Sequence, residues 1–262
     1  MKLFFEKVGN GEPLILLHGM FGSFENLGAI ARVLQNHYTL YRVDLRNHGR
    51  SPHADTMSFR EMADDVRELM DDQKIESSYV VGHSLGGKVA MQLAFDHPGK
   101  IKKIAVLDIA PVTYPSHHNA ILDALKNINP QSAKSRKEVD EKLKNYVEEL
   151  GVRQFILKNL ERTETGEFFW RLNVDAVINC YDSLRDSIES SDASSGSSSK
   201  IEVLFLKGEK SNYIHKRNHE EIFKKFPNAK IEVIAGASHW LHAEDPKSVS
   251  SKIIDFLESE KN

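Results

Sequence analysis

Short apolar runs bounded by turn residues alternate with helix-length segments across residues 1–108, and this alternation constrains the fold more than any other feature. The pattern predicts strands over 3–8, 13–18, 38–44, 78–82 and 102–108, with helices over 25–35, 58–73 and 85–96. The run Leu14-Ile15-Leu16-Leu17 is too short for a helix and shows no polar alternation, so it reads as a strand buried on both faces. Ser58 and Glu61 form a capping box at the start of the second helix. His97-Pro98-Gly99 closes the third. Strands separated by single helices imply a mainly parallel sheet flanked by helices on both faces.

The alternation stops near Pro111. From 111 to 200 no convincing strand is visible, and helices are expected over 117–127, 135–150, 152–160 and 172–189. Strands then return over 201–206 and 230–235, with helices over 214–226 and 247–259. The expected organisation is an α/β core from residues 1–110 and 201–262, interrupted between late strands by a helical cap insertion over 111–200. The cap ends in a Ser-rich stretch, 190–200, that reads as a return linker. A chain of 262 residues can hold one large domain with such an insertion.

Charge narrows the function. Thirty-five Lys and Arg against 38 Asp and Glu leave a net charge of −3, which argues against a nucleic-acid partner. No run of 18 apolar residues occurs, so no membrane span is expected. The first residues meet Glu6 before any apolar core of signal-peptide length, and they read as a strand. Cys180 is the single cysteine. It can make neither an intramolecular disulfide nor a thiolate zinc site, which points to a reducing, cytoplasmic setting.

Gly82-His83-Ser84-Leu85-Gly86 spells G-x-S-x-G between an expected strand and an expected helix. A serine on so tight a turn is lifted above the carboxyl edge of the sheet, and the glycines leave room for the neighbouring backbone. Ser84 is therefore the candidate nucleophile. The same stretch also spells G-x-x-x-x-G-K, ending in Gly87-Lys88, and 104–108 mimics the strand and aspartate of nucleotide hydrolases. Val89 stands where a Ser or Thr must reach magnesium, and it supplies no oxygen.

Among 12 histidines, His239 has the strongest claim to be the base, because it follows a late strand and falls at the same sheet edge as Ser84. His215 and His219 lie four apart on one helix face but lack a third ligand, so no metal site is assigned. His37, His53, His97, His117 and His118 sit in loops or at helix ends without comparable claim, and His242 is a candidate neighbour of the base. His18-Gly19-Met20-Phe21-Gly22 follows the buried strand. Backbone N–H groups of Met20 and Leu85 can there form a two-donor oxyanion hole, with Phe21 in reserve and His18 structural. Arg46, Asn47 and His48 are expected to brace the loops around the site.

The segments HGMFGS (18–23), DLRNHGRS (44–51), GHSLGG (82–87) and GASHWLHAEDP (236–246) resemble the α/β-hydrolase superfamily. The first and third, with VLDIAPV (106–112), are most similar to YbfF-type esterases and acyl thioesterases. The resemblance implies the α/β-hydrolase fold, acyl-ester hydrolysis, a helical cap and no cofactor. In most members of that superfamily an acid follows the penultimate strand, about three residues after a glycine. Here that place holds Ser211, which can support but cannot carry charge. Asp108 ends the neighbouring core strand, and the resemblance points to it as the triad acid. Glu209 and Asp245 compete, although Asp245 precedes a proline and reads as a helix N-cap.

The expected protein is a serine hydrolase that cleaves carboxylic esters or thioesters of small to medium acyl groups through an acyl-enzyme. Phe155, Phe168, Phe169 and Trp170 offer cap surface for an acyl chain. Ser84 argues against dehalogenases and epoxide hydrolases, which use a carboxylate nucleophile. A carbon–carbon hydrolase or lyase, and a nonenzymatic ligand sensor on the same scaffold, are the alternatives.

Overall fold

The computed structural model describes residues 1–189 and 201–259, so the Ser-rich stretch 190–200 lies outside the described residues. Strands β1 Phe5–Val8, β2 Glu12–Leu17, β3 Tyr38–Val43, β4 Ser78–His83 and β5 Ile101–Leu107 come first. Strands β6 Leu160–Arg162, β7 Phe168–Trp170, β8 Glu202–Gly208 and β9 Lys230–Ile234 follow. Seven of them form one sheet in the order β1-β3-β2-β4-β5-β8-β9. Only β1 runs antiparallel to its neighbour, and the other pairings are parallel. Parallel sheets need both faces covered, and this one has them. Ile15, Leu17, Val80, Ile104, Val106 and Phe205 point into one core. Leu14, Leu16, Val81, Ala105, Leu107 and Leu204 point into the other. This two-sided burial is why the strands read as unbroken apolar runs.

Helices α1 Gly28–Leu34, α2 Phe59–Asp72 and α3 Leu85–Asp96 belong to the first half. The expected cap at α2 is present, with Ser58 Oγ accepting the Glu61 N–H at 3.2 Å. Residues of α2 and α3 fill the first core, and α1 fills the second. Between β5 and β8 lie α4 Asn119–Asn127, α5 Arg136–Leu143, α6 Leu150–Leu157 and α7 Val174–Arg185. Helices α8 His219–Lys225, α9 Leu241–Glu244 and α10 Pro246–Glu258 complete the chain. Among the described residues, no helix is long and apolar enough to cross a membrane.

The segment between β5 and β8 corrects the sequence reading in two ways. It contains strand, because β6 and β7 pair antiparallel with Glu161 opposite Phe169. The connecting turn closes through Gly166, whose positive φ of 90° suits glycine. Strands of three residues are too short to show alternation. The helix expected over 135–150 also ends early, at Leu143. Arg153 folds back there, donating to the Val147 and Glu148 carbonyls at 3.1 and 2.5 Å and to Asp140 at 2.9 Å. The N–H groups of Tyr146 and Val147 both return to Leu143 O, at 3.0 and 2.9 Å, and close the helix there.

Register places the site. His83 stands opposite Leu107. Leu107 stands opposite Leu206. The three central strands thus end level, and the residues that follow them emerge at one edge. Two backbone bonds hold the alignment: Ser84 N–H to Leu107 O at 3.0 Å, and Asp108 N–H to Leu206 O at 2.8 Å.

Candidate active site

Ser84 joins β4 to α3 at φ 51° and ψ −115°, a conformation that costs an L-residue of order 1–3 kcal/mol. The surrounding glycines are required by space. A Cβ on Gly82 would stand 2.2 Å from the Gly86 carbonyl oxygen, and one on Gly86 would stand 2.3 Å from that of Leu17. Leu85 is the first residue of α3, where a backbone N–H has no intrahelical partner. Among the described residues, neither Leu85 N–H nor Met20 N–H finds a protein acceptor. Phe21 N–H is engaged, donating to His48 Nε2 at 3.3 Å.

Asp108 follows β5 in the left-handed region, at φ 52°, and is fully buried. Its Oδ1 accepts the Gly208 N–H at 3.1 Å. Its Oδ2 accepts from His239 Nδ1 at 2.8 Å and from the Ser211 hydroxyl. Ser211 Oγ in turn accepts the Tyr213 N–H at 3.1 Å. A carboxylate holding Nδ1–H leaves Nε2 of the neutral imidazole as the acceptor. The Tyr213 ring lies flat on the His239 ring, with centroids 3.8 Å apart and planes at 15°. From beneath, His83 Nε2–H donates to the His239 carbonyl at 2.9 Å. His239, Asp108 and Ser84 thus come from three different strand ends, and backbone and ring contacts hold the His239 imidazole.

Five histidines around the site are kept neutral by burial, among them His118 on the cavity wall, which is pushed down to about 3. His18 is pushed down to about 4 and His48 to about 3, in both cases by desolvation first. His83 falls well below its ordinary value and His242 to about 3, again chiefly by burial and then by neighbouring imidazoles. Each neutral ring can then donate from one nitrogen and accept at the other. His18 Nδ1 donates to Gly19 O at 2.8 Å while its Nε2 accepts the Leu45 N–H at 3.0 Å. His48 Nδ1 donates to Arg46 O at 2.9 Å, which leaves its Nε2 for Phe21. Arg46 is fixed by Asp65 at 2.6 Å and Glu61 at 2.7 Å. Asn47 holds the Asn173 side chain at 3.0 Å, linking this loop to α7.

A cavity of about 380 Å³ opens over Ser84 and His239, walled by Met20 and Trp240 from the core and by Ile121 and Phe155 from the segment between β5 and β8. Phe155 meets Trp240 edge-on at 4.6 Å. Of the four aromatics singled out by sequence, Phe155 alone lines this cavity. Phe168 is buried in the core, and Trp170 donates its indole N–H to Ile128 O at 3.2 Å. Among the described residues, no group of three His, Cys, Asp or Glu is gathered to hold a metal ion.

A sequence-family profile described as alpha/beta hydrolase fold matches residues 12–246. The chain belongs to the α/β-hydrolase family. It is 35% identical to Esterase YbfF of Escherichia coli, over 95% of this chain and 94% of that one. It is also 35% identical to a Danio rerio protein named sn-1-specific diacylglycerol lipase ABHD11, over 97% of this chain and 81% of the relative. A solved structure titled "Marine microorganism esterase" superposes with a TM-score of 0.93 at 43% identity, covering 97% of this chain and 99% of that one. Within the family the chain is a YbfF-like esterase, a serine hydrolase that acts on carboxylic esters.

The residues that compete with these site residues in the sequence have other partners in the structure. Lys88 does not face a phosphate site. Its ammonium is buried and donates to the carbonyls of Val112 at 2.9 Å, Arg185 at 3.1 Å and Asp186. Burial pushes its pKa down to about 7. Glu209 accepts the Gly236 N–H at 2.6 Å from an exposed position. Asp245 caps α10 through the Ser248 N–H at 3.1 Å.

Several site neighbours escaped the sequence reading. His83 sat unweighed inside the G-x-S-x-G motif, and Tyr213 sat two residues past Ser211. His117 and His118, set aside as loop residues, reach the cavity wall, where His117 Nε2 meets the Tyr213 hydroxyl and His118 Nδ1 meets that of Tyr181. The segment that carries them has no periodicity from which this could be read.

Proposed function

We propose that Ser84, His239 and Asp108 form the catalytic triad of this ester hydrolase, acting on esters or thioesters of small to medium acyl groups. Ser84 Oγ attacks the acyl carbonyl as His239 Nε2 takes its proton. Asp108 holds the imidazole in the required tautomer and stabilises the imidazolium that forms. The free N–H groups of Met20 and Leu85 receive the oxyanion, and each donor of this kind contributes roughly 2.7–4 kcal/mol. His239 then protonates the leaving group, and water attacks the acyl-enzyme by the same path in reverse. The observation that carries this reading is the 2.8 Å bond from His239 Nδ1 to a fully buried Asp108, on the cavity that Ser84 faces. In this reading residues 111–200 act as a cap over the serine, since Ile121, Val147 and Phe155 wall the cavity. The single Cys180 supports a cytoplasmic location.

The purified protein should hydrolyse a short-chain p-nitrophenyl ester without added metal and be indifferent to EDTA. Acyl-CoA thioesters run alongside would report on the leaving group. Loss of activity in chelator, restored by zinc or magnesium, would overturn the assignment. An inert protein that still binds acyl esters would mark the scaffold as a sensor.

Activity should fall in acid along a single limb, because only a neutral imidazole accepts the serine proton. His83 and His242 are depressed by burial and stay neutral throughout, so they should add no second limb. His239→Gln should remove both the limb and the activity. A variant that keeps both points to a different base.

A further inference from the structure

A second, smaller cavity of about 30 Å³ adjoins the first. The two share Met20, Ser84, His117, His118 and Tyr213 as a common wall, so they meet at the serine. Beyond that wall the small lobe is closed by Leu85, Lys88, Ile109, Tyr114, Leu184 and Arg185. We propose that the acyl group occupies the small lobe and the alcohol the large one, so that the enzyme selects two- to three-carbon acyl esters of bulky apolar alcohols. This rests on the triad reading above and narrows its acyl range.

The assignment follows from where the reacting atoms must lie. A tetrahedral intermediate on Ser84 carries three further groups: the oxyanion, the leaving oxygen and the acyl chain. The oxyanion turns to the N–H groups of Met20 and Leu85. The leaving oxygen must reach His239 Nε2, because it departs with that proton. His239 lines the large lobe and does not line the small one. The alcohol therefore leaves through the large lobe, and the acyl chain takes the remaining direction, along Leu85.

Size then sets the acyl length. Holding one water takes at least about 10–15 Å³ of such volume, so 30 Å³ accepts a methyl or ethyl group and little more. Most polar groups of the small lobe are already spent within the protein: the Arg185 guanidinium donates to Tyr114 O at 2.7 Å and to Asp182 at 2.6 Å, and only its Nε lacks a partner among the described residues. The three carbonyl contacts of Lys88 use all its donors. The Tyr114 hydroxyl is spent on Tyr213 O at 2.7 Å and on the Ala110 N–H at 2.8 Å. The lobe is also braced. Lys88 ties the start of the β5–β8 segment, at Val112, to its end, at Arg185 and Asp186. The large lobe, at about 380 Å³, falls in the range of small-molecule pockets and is lined by Ile121, Val147, Val152 and Phe155.

Octyl acetate and ethyl octanoate test this directly, because they are isomers with the ester reversed and with alkoxide leaving groups of similar basicity. Followed by pH-stat, kcat/KM for octyl acetate should exceed that for ethyl octanoate by at least about tenfold, since one misplaced methylene alone costs 10- to 200-fold. Equal rates, or a preference for ethyl octanoate, would overturn the lobe assignment and leave ester hydrolysis standing. Failure to cleave these esters or p-nitrophenyl acetate would overturn the hydrolase mechanism and the lobe assignment with it. Leu184→Ala should raise the hexanoyl-to-acetyl ratio of p-nitrophenyl esters about tenfold, and Leu184→Val should raise it less. Phe155→Ala should instead change the preference between octyl and ethyl acetate. A hexanoyl-to-acetyl ratio unmoved in both folded Leu184 variants also overturns the proposal.

Discussion

Ser84→Ala should lower kcat on a short p-nitrophenyl ester by about 10⁶-fold, the scale seen when a serine nucleophile is removed. The reason is local geometry. The elbow presents one side chain, between glycines that leave no room for another, and the N–H of Leu85 beside it serves only an oxygen bonded at that point. No neighbouring hydroxyl can substitute, since that of Tyr213 faces His117. A fluorophosphonate probe should label the parent protein at Ser84 and leave the variant unlabelled. Stability gives an independent readout. Ser84 is held at φ 51°, so Ser84→Gly should melt higher than Ser84→Ala, through relief of strain of order 1–3 kcal/mol. Retained turnover or labelling in Ser84→Ala would place the nucleophile elsewhere.

Asp108→Asn should cut kcat by about 10³–10⁴ while leaving the protein folded. Asparagine tolerates the left-handed backbone that Asp108 adopts, which favours survival of the fold. The chemical loss comes from the hydrogen-bond pattern. With the amide oxygen on the Gly208 N–H, the NH₂ group faces both His239 Nδ1 and Ser211 Oγ, where two donors now converge. The imidazole must then carry its proton on Nε2, the atom that has to accept from Ser84, and the imidazolium loses its counter-charge. Ser211→Ala should cost far less, because it removes one donor to a carboxylate that keeps His239 and Gly208. Combining Asp108→Asn with Ser211→Asp should recover part of the rate, since the Ser211 side chain already touches the Asp108 carboxyl. Steady-state kinetics on the three variants separate the roles. Near-full activity in Asp108→Asn, with a large loss in Glu209→Gln, would show that the acid lies on the other strand end.

The sheet was legible because both its faces are buried. That forces unbroken apolar runs such as 14–17, and a parallel order forces a helix between each pair of central strands. The elbow was legible for a related reason: Gly82, Ser84 and Gly86 are neighbours in the chain, and the clash that each glycine avoids is fixed by local backbone. His239 could be singled out from the strand it follows, whereas Asp108 also needed the resemblance to point to it. Their bond spans 131 residues, and it exists because β5, β8 and β9 lie side by side in the sheet and deliver the two residues to one edge.

Elsewhere the tertiary structure decided. The helix expected to run to 150 ends at Leu143, where the chain turns back on the Leu143 carbonyl and Arg153 of the next helix reaches across to Asp140. Lys88, which in sequence imitates a phosphate-binding lysine, is claimed by carbonyls up to 98 residues away. Phe155 reaches the cavity whereas Phe168 is buried in the core, a choice that depends on which surface each element meets. Periodicity and turn chemistry are local, so by themselves they determined the strands of the central sheet, the elbow and the order of the core, but not the short pair β6 and β7. Whether a polar or aromatic side chain lines the site, braces it or points away depends on partners brought together only by folding, and that only the tertiary structure could decide.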